Sequence, residues 1–385
     1  MRHASWAPAA LLVIATTAPT SARQLTEAQF LEEALTAHPA IAVKEADAAA
    51  AEGRRRQAGV IDNPEFAWGR EDPKIPPTQD TFLINWKLPF DGRKHRISGG
   101  DAAIAASNAD LIATRLGVRL ELRAIYAQWF LAHRREALLR DQLDRTRRLA
   151  SWLRARAEEG EAAGVEAHRL DLEVEVLERE LATARAEARS RRAAAAVWSS
   201  SVTAEVQPHR PILPPPPTSA DLAEHPALKA QSHRLAEAEA DARLQRRSVQ
   251  PPSIALGWTE FSADIGSTDG PVFGVSWPVP IFDRNQGNRQ AAASEADAAR
   301  AELELKTRRM EQRARAALAS YTDLYPSTRP LSSDDTVDQV ALAVFAAFEA
   351  GEASLTDVLD TLRASIGVRL ARLDSLDSAL AAERE

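Results

Sequence analysis

The chain has 385 residues, a formal net charge of −7 and no cysteine. The lack of cysteine excludes disulfides, thiolate metal sites and a lipid-anchored N-terminal Cys, and the acidic balance argues against nucleic acid as the main partner. Aromatic residues make up only 5% of the chain while alanine is abundant. This composition is typical of long helices that pack closely through small side chains.

Residues 1–22 have the pattern of a secretory signal peptide. Arg2 provides a positive charge, Ala9–Ile14 a short apolar core, and Thr20-Ser21-Ala22 the small residues of a cleavage site. A disordered N-terminus is the alternative interpretation. No later stretch has the about 18 apolar residues that a membrane helix needs, so we expect any membrane span to be built without transmembrane helices.

Residues 23–205 form a first structural unit. A helical pattern begins at Thr26 and is broken at His38-Pro39. Alternating segments at about 64–71 and 80–88 predict a hairpin of two strands. Long helices are then predicted at about 94–158 and 165–199, the first roughly 95 Å long, with a turn at Gly160 between them.

Residues 206–385 repeat this pattern. A Pro-rich linker, 208–217, precedes His225-Pro226, which matches the earlier His-Pro pair. Strands follow at about 253–261 and 271–279, and long helices at about 284–350, interrupted near the prolines at 326–330, and at 355–385. Asp283 is the expected cap of the first of these helices. Gly351 corresponds to Gly160. The chain is therefore predicted to be a duplicated helix–hairpin–long helix–turn–helix unit.

The four predicted strands each carry one tryptophan, and each has one apolar face and one polar or small face. This pattern fits an outer-membrane β-barrel with aromatic anchors; a soluble antiparallel sheet packed on helices is the alternative. Four strands cannot close a barrel by themselves, since the smallest known barrels have about eight. A barrel would therefore need strands from several chains. The anchors would be Trp68, Trp86, Trp258 and Trp277.

Several motifs in this order and spacing resemble the TolC-like outer-membrane efflux channels, and among them the outer-membrane subunits of cobalt–zinc–cadmium type cation exporters. Together with the duplication they cover essentially the whole chain after residue 22. The motifs are His38-Pro39, Ala58-Gly59 with Asn63-Pro64-Glu65, Leu88-Pro89-Phe90-Asp91-Gly92-Arg93-Lys94, Val279-Pro280-Ile281-Phe282-Asp283-Arg284-Asn285-Gln286-Gly287-Asn288 and Gly351-Glu352-Ala353-Ser354-Leu355-Thr356-Asp357-Val358-Leu359-Asp360.

The resemblance implies a mainly α-helical homotrimer in the Gram-negative outer membrane. Each chain would give four strands to a 12-stranded β-barrel, which a helical tunnel would continue into the periplasm. The channel would be passive, without cofactor or enzymatic activity. A periplasmic adaptor would dock at the turns containing Gly160 and Gly351, and an inner-membrane proton-driven pump would deliver the substrate.

Asp357 and Asp360 match positions where the family places acidic rings at the periplasmic constriction. Glu166 and Arg169 occupy the corresponding positions of the first repeat. For Asp357 a structural alternative exists, because Ser354-x-x-Asp357 also fits a capping box at a helix start. The Arg that some members carry two residues after the turn glycine, as a gate-locking link, is replaced here by Ala353 and Ala162.

The seven histidines after the signal segment show no metal-ligand spacing, and no motif supports an enzyme. Subgroup resemblance favours divalent heavy-metal cations as substrate. The alternatives are the same channel serving drugs or other small molecules, and a periplasmic coiled-coil adaptor or scaffold protein whose hairpins form a soluble sheet.

Overall fold

The computed structural model describes residues 23–36, 38–73, 77–88, 92–159, 164–219, 222–247, 251–328 and 333–384. The signal-like segment 1–22 and Gly160 lie outside the described residues. The strands are β1 (Gln24–Leu25), β2 (Glu65–Glu71), β3 (Thr78–Lys87), β4 (Gln207–Pro208), β5 (Ser253–Ala263) and β6 (Gly266–Ser276). The helices are α1 (Glu27–Thr36), α2 (Pro39–Ala58), α3 (Arg93–Glu158), α4 (Gly164–Ala196), α5 (Pro226–Arg247), α6 (Gln286–Leu324), the 3₁₀ turn Tyr325–Thr328, α7 (Ser333–Glu349) and α8 (Leu355–Arg384).

Ion pairs one turn apart run along the long helices. In most of them the acid precedes the arginine by four residues, which is the orientation that supports a helix. In the pair Glu175–Arg179 of α4, Glu175 Oε1 lies 2.5 Å from Arg179 Nη2. Such exposed pairs each contribute only about 0.3–0.5 kcal/mol. The others of this kind among the described residues are Glu136–Arg140, Asp141–Arg145, Glu187–Arg191, Glu239–Arg243, Glu304–Arg308 and Glu311–Arg315.

The two His-Pro pairs are helix caps. The imidazole Nδ1 of His38 accepts a hydrogen bond from the backbone N–H of Ala40 at 3.3 Å, and proline begins α2. His225 does the same for α5, where its Nδ1 accepts from Ala227 N–H at 3.2 Å. The predicted break thus has one cause in both repeats: the imidazole satisfies an N–H group that a helix start leaves unpaired.

The strands β2, β3, β5 and β6 form one antiparallel sheet in that order. The register places the apolar side chains of all four strands on one face, where they are exposed: Phe66, Trp68, Phe82, Ile84, Trp86, Leu256, Trp258, Phe273 and Val275. The other face is mostly small or polar, although Leu83, Phe261 and Val272 also lie on it. On this face Gln79, Thr81 and Thr259 are joined by side-chain hydrogen bonds. The predicted two-faced sheet is therefore present.

One prediction about the strands is wrong in detail. The fourth strand was expected at about 271–279 with Trp277 on its apolar face, but β6 ends at Ser276 and Trp277 lies just beyond it. The strand starts earlier instead, because β5 and β6 are joined by only two residues, Asp264 and Ile265. Gly266 follows this tight turn with φ +137°, a backbone conformation that favours glycine.

The passage from strand to long helix also differs from the prediction. The residue before α6 is Asn285, not Asp283, and it adopts a left-handed conformation with φ 57°. Asp283 instead accepts a hydrogen bond from the backbone N–H of Asn285 at 2.9 Å. Gly92, directly before α3, is left-handed too, with φ 64°. Glycine and asparagine are the residues that adopt this conformation most easily.

The chain divides into two compact units that do not coincide with the two sequence repeats, since each draws on both. One takes the residues up to Ala34, Ile125–Ile212 and Leu331–Leu373; the other takes Leu35–Ala124, Leu213–Pro330 and Asp374–Glu385. The second unit contains the four-stranded sheet. Among the described residues no helix combines the length and apolar character of a membrane span.

In the first unit, a buried tyrosine joins two distant segments. The hydroxyl of Tyr126 contacts the carbonyl oxygens of Leu25 at 2.7 Å and His209 at 2.8 Å. These residues continue the short parallel pair β1–β4. Because Tyr126 is fully buried, burial raises the pKa of its phenol, and the hydroxyl stays protonated.

Candidate functional site

The turn between α7 and α8, residues 350–354, is the candidate site that the sequence indicated, and we call it the Gly351 turn. Gly351 has φ +76°. Its N–H donates to Phe348 O at 3.0 Å, and Glu352 N–H donates to Ala347 O at 2.8 Å. This pair of bonds is a Schellman motif. It ends α7 at Gly351, in a left-handed backbone conformation that glycine adopts without strain.

Asp357 forms the capping box at the start of α8. Its Oδ2 accepts from Ser354 N–H at 2.9 Å and from the Ser354 hydroxyl at 2.6 Å, and Asp357 N–H donates to Ser354 Oγ at 3.2 Å. These bonds, the one from the hydroxyl first, hold the pKa of Asp357 below its usual value. The carboxylate is therefore charged at neutral pH and is a structural part of the turn.

The helices around the turn share an apolar cluster. Leu355, Val358 and Leu359 of α8 are almost fully buried against α3 and α4. Trp152 packs on Phe348 with ring centroids 5.7 Å apart. Because residues 355, 358 and 359 face this cluster, Asp357 and Asp360 fall on the opposite, exposed side of α8.

Asp360 has an exposed side chain whose Oδ1 lies 3.9 Å from Arg363 Nη1. Arg363 is itself bound to Glu173 of α4 by two parallel hydrogen bonds of 3.1 and 2.5 Å. This two-point contact raises the pKa of Arg363 and fixes its guanidinium. Sequence reasoning missed the contact, because its partners are 190 residues apart and neither belongs to a motif.

The first turns of α4 and α8 lie beside each other. Arg169 of α4 donates from Nη1 to Thr356 Oγ1 at 3.1 Å. Glu166 is half-buried in the first turn of α4, where its negative charge interacts favourably with the positive end of the helix dipole. Asp357, Asp360, Gly351 and Glu166 thus belong to one region; the roles proposed for them at a gate remain predictions.

Three of the four tryptophans expected to be aromatic anchors belong to the sheet, and Trp277 lies just beyond it. Trp68, Trp86 and Trp258 lie on its apolar face, and Trp258 Nε1 donates to Asp269 Oδ2 at 2.9 Å. Within the part of the chain that the structure describes, no group of three or more His, Asp or Glu side chains is arranged to hold a metal ion.

Comparison with known proteins supports the same fold. The chain is 28% identical over 347 residues to the cobalt-zinc-cadmium resistance protein CzcC of Cupriavidus metallidurans, covering 87% of this chain and 82% of that protein. It is 24% identical over 318 residues to the nickel-cobalt-cadmium resistance protein NccC of Alcaligenes xylosoxydans xylosoxydans, covering 79% and 72%. No family model matches the chain.

The solved structure of the outer membrane channel CmeC of Campylobacter jejuni superimposes with a TM-score of 0.74. The match covers 93% of this chain and 83% of that one at 13% identity, so it shows the fold alone. The chain has the mainly helical fold of TolC-like outer-membrane channels, and the resemblance drawn from its motifs is confirmed. Its similarity to CzcC and NccC extends over most of its length.

Proposed function

We propose that this protein is the outer-membrane channel subunit of a tripartite efflux system. It is a passive exit duct in the Gram-negative outer membrane, with its helical tunnel in the periplasm, and it catalyses no reaction. The observation that carries the proposal is the four-stranded sheet with one exposed apolar face and one mostly polar or small face. The apolar face suits lipid, and the polar face suits an aqueous lumen.

The sheet supports a homotrimer. Its outer strands β2 and β6 have no sheet partner within the described chain. Unpaired strand edges in a bilayer are costly because no water satisfies their backbone groups. Three copies joined edge to edge give a closed barrel of twelve strands. We further propose that a periplasmic adaptor docks at the Gly351 turn and at the turn containing Gly160, and that an inner-membrane proton-driven pump delivers the substrate.

Divalent heavy-metal cations are the proposed substrate. The support is the similarity to two proteins named for resistance to cobalt, zinc, nickel and cadmium. The exposed carboxylate of Asp360, next to Asp357, adds negative charge that favours cations when three copies surround one axis. Drugs or other small molecules as substrate of the same channel are the alternative.

Cross-linking across the sheet edges tests the trimer and the barrel together. The chain has no cysteine, so Ala67→Cys in β2 and Val272→Cys in β6 introduce the only thiols. Within one chain β3 and β5 separate these strands, by roughly 14 Å. A short bis-maleimide therefore links only neighbouring copies. We expect covalent trimers in the outer-membrane fraction for the double variant and at most dimers for either single variant.

A soluble monomer after signal removal would contradict the proposal. It would instead favour the periplasmic adaptor or scaffold protein, whose hairpins form a soluble sheet. Protease treatment of the membranes separates the same alternatives, because strands embedded in lipid are protected and strands of a soluble sheet are not.

A further inference from the structure

The segment between β6 and α6, residues 277–282, exposes four large apolar side chains in six residues. The exposed fractions are 67% for Trp277, 73% for Val279, 61% for Ile281 and 90% for Phe282. Isolated apolar residues are normal on a protein surface, but a contiguous group of this size marks an interaction site. The segment lies outside the sheet, and of its residues only Trp277 was assigned a role in the channel, as an aromatic anchor.

The backbone that carries these side chains is held in place locally. Pro278 and Pro280 restrict the chain, and Ile281 N–H donates to Val279 O at 2.9 Å. Arg284 Nε donates to Ile281 O at 3.3 Å, and the amide of Gln286 donates to Phe282 O at 3.4 Å. The apolar side chains are therefore displayed by an ordered turn that is anchored to the start of α6.

The two ends of the sheet carry opposite charge. The hairpin end is acidic, with Glu71, Asp72, Asp80, Glu260, Asp264 and Asp269 opposed by Arg70 in the described residues. The end at which the chain enters α3 and α6 is basic, with Lys87, Arg93, Lys94, Arg96, Arg284 and Arg289 opposed by Asp62, Glu65 and Asp283 in the described residues. The exposed apolar segment belongs to the basic end.

An ordered apolar segment at the basic end of the sheet, with Arg284 two residues after Phe282 and Asp283 between them, suits insertion into the headgroup region of an anionic lipid layer. The apolar side chains enter the acyl boundary, and the guanidinium contacts the phosphates. We propose that residues 277–282, with Arg284, form an interfacial anchor that inserts into the phospholipid leaflet on the helix side of the barrel. This inference rests on the proposed function, because it takes the apolar face of the sheet to lie in the same membrane.

Fluorescent labels at single cysteines test the anchor in the full-length protein. Phe282→Cys places a label at the most exposed side chain of the segment. Gln290→Cys, eight residues further on and exposed on α6, is the matched control. Phe273→Cys, on the apolar face of β6, reports whether the sheet is in lipid. The proteins are reconstituted into phosphatidylglycerol vesicles that carry a spin-labelled lipid quencher, and aqueous iodide is the second quencher.

We expect the label at position 282 to be quenched by the lipid probe and severalfold less by iodide than the label at position 290. Replacing phosphatidylglycerol by phosphatidylcholine is expected to raise iodide quenching at position 282, and Arg284→Gln to do the same in phosphatidylglycerol. Equal iodide quenching at positions 282 and 290 overturns the anchor. A label at position 282 shielded from both quenchers also overturns it and assigns the segment to a contact with another copy.

The label at position 273 separates this inference from the proposed function. If that label is in lipid and the one at position 282 is in water, only the anchor fails. If both labels are in water, the sheet is not in the membrane and the barrel itself fails.

Discussion

At the scale of single residues, Asp357 and Asp360 differ in how their carboxylates are bound. Asp357 is bound to Ser354 on both sides of the capping box, whereas Asp360 projects from the exposed side of α8 with Arg363 3.9 Å away. The hydrogen bonds of Asp357 do not remove its charge. Both carboxylates therefore remain available to attract cations, and Asp360 is the freer of the two.

Charge removal at these positions tests the cation-favouring constriction. We expect Asp360→Asn to weaken the cation preference of the reconstituted channel in bilayer recordings, and the addition of Asp357→Asn to weaken it further. Asp377→Asn, which removes an exposed acid elsewhere on α8, is the control and should leave selectivity unchanged. Unchanged ion selectivity in the double variant would contradict a role in the constriction and would show that Asp357 and Asp360 are only capping or surface residues.

At the scale of elements, the sheet depends on one close approach of strands. A Cβ atom on Gly257 of β5 would lie 2.0 Å from the carbonyl oxygen of Phe82 in β3 and 2.6 Å from the Leu83 side chain. The backbone oxygen has no flexible end that can move aside. Glycine at this position is therefore required by the spacing of β3 and β5.

We expect Gly257→Ala to destabilise the sheet by about 1–3 kcal/mol, the usual cost of overpacking, as measured by the heat or denaturant needed to unfold the reconstituted protein. Gly69→Ala is the matched control, because a Cβ on Gly69 in β2 meets nothing within 4 Å. Equal stability of the two variants would show that the strands separate more easily than the structure indicates.

The histidine cap of α5 predicts a dependence on pH. The Nδ1 of His225 accepts a hydrogen bond only when the imidazole is neutral, and burial, followed by the charge of Lys306, lowers its pKa. Glu224 and Lys229, beside it, pair with each other. The pKa of His225 in the folded protein therefore lies below its unfolded value of about 6.5. The cap stabilises the folded protein fully above a pH of about 6.5, and this stabilisation is lost as the pH falls through the folded pKa.

His225→Ala is expected to lower stability by about 1 kcal/mol at pH 8, with a smaller loss at pH 5. His225→Asn supplies a cap that does not titrate, so its stability should vary less between these pH values than that of the unmodified protein. Thermal unfolding at both pH values measures these stabilities. An equal change in stability between pH 8 and pH 5 for His225→Asn and for the unmodified protein would contradict the role of His225 as a cap.

The elements that could be predicted from the sequence are those with a local sequence pattern. The alternation of the strands, the Gly351 turn and the Ser354–Asp357 capping box are local patterns, and the structure contains all three. The left-handed conformations of Asn285 and Gly92 were not predicted. For α6 the reason is that Asp283, two residues earlier, is a more usual helix cap than Asn285 in this conformation. The contact between Arg363 and Glu173 leaves no local signal, since it joins two helices from different repeats.

At the scale of the whole molecule, the duplication in the sequence is used to build shared structures. The sheet takes two strands from each repeat, with β3 of the first repeat paired to β5 of the second. The cluster below the Gly351 turn likewise combines α3 and α4 with α7 and α8. Neither repeat completes a sheet or a helix cluster without the other, so half of the chain is not expected to fold into either structure.

The central claim is that this protein is the exit duct of a divalent-cation efflux system. A strain that lacks the gene, complemented with the intact chain or with an empty vector, tests it through the cellular content of cobalt, zinc and cadmium after exposure to each metal. We expect the uncomplemented strain to accumulate these metals and the intact chain to restore the lower content. Unchanged metal content together with hypersensitivity to drugs would contradict the metal assignment, while unchanged responses to both would contradict efflux.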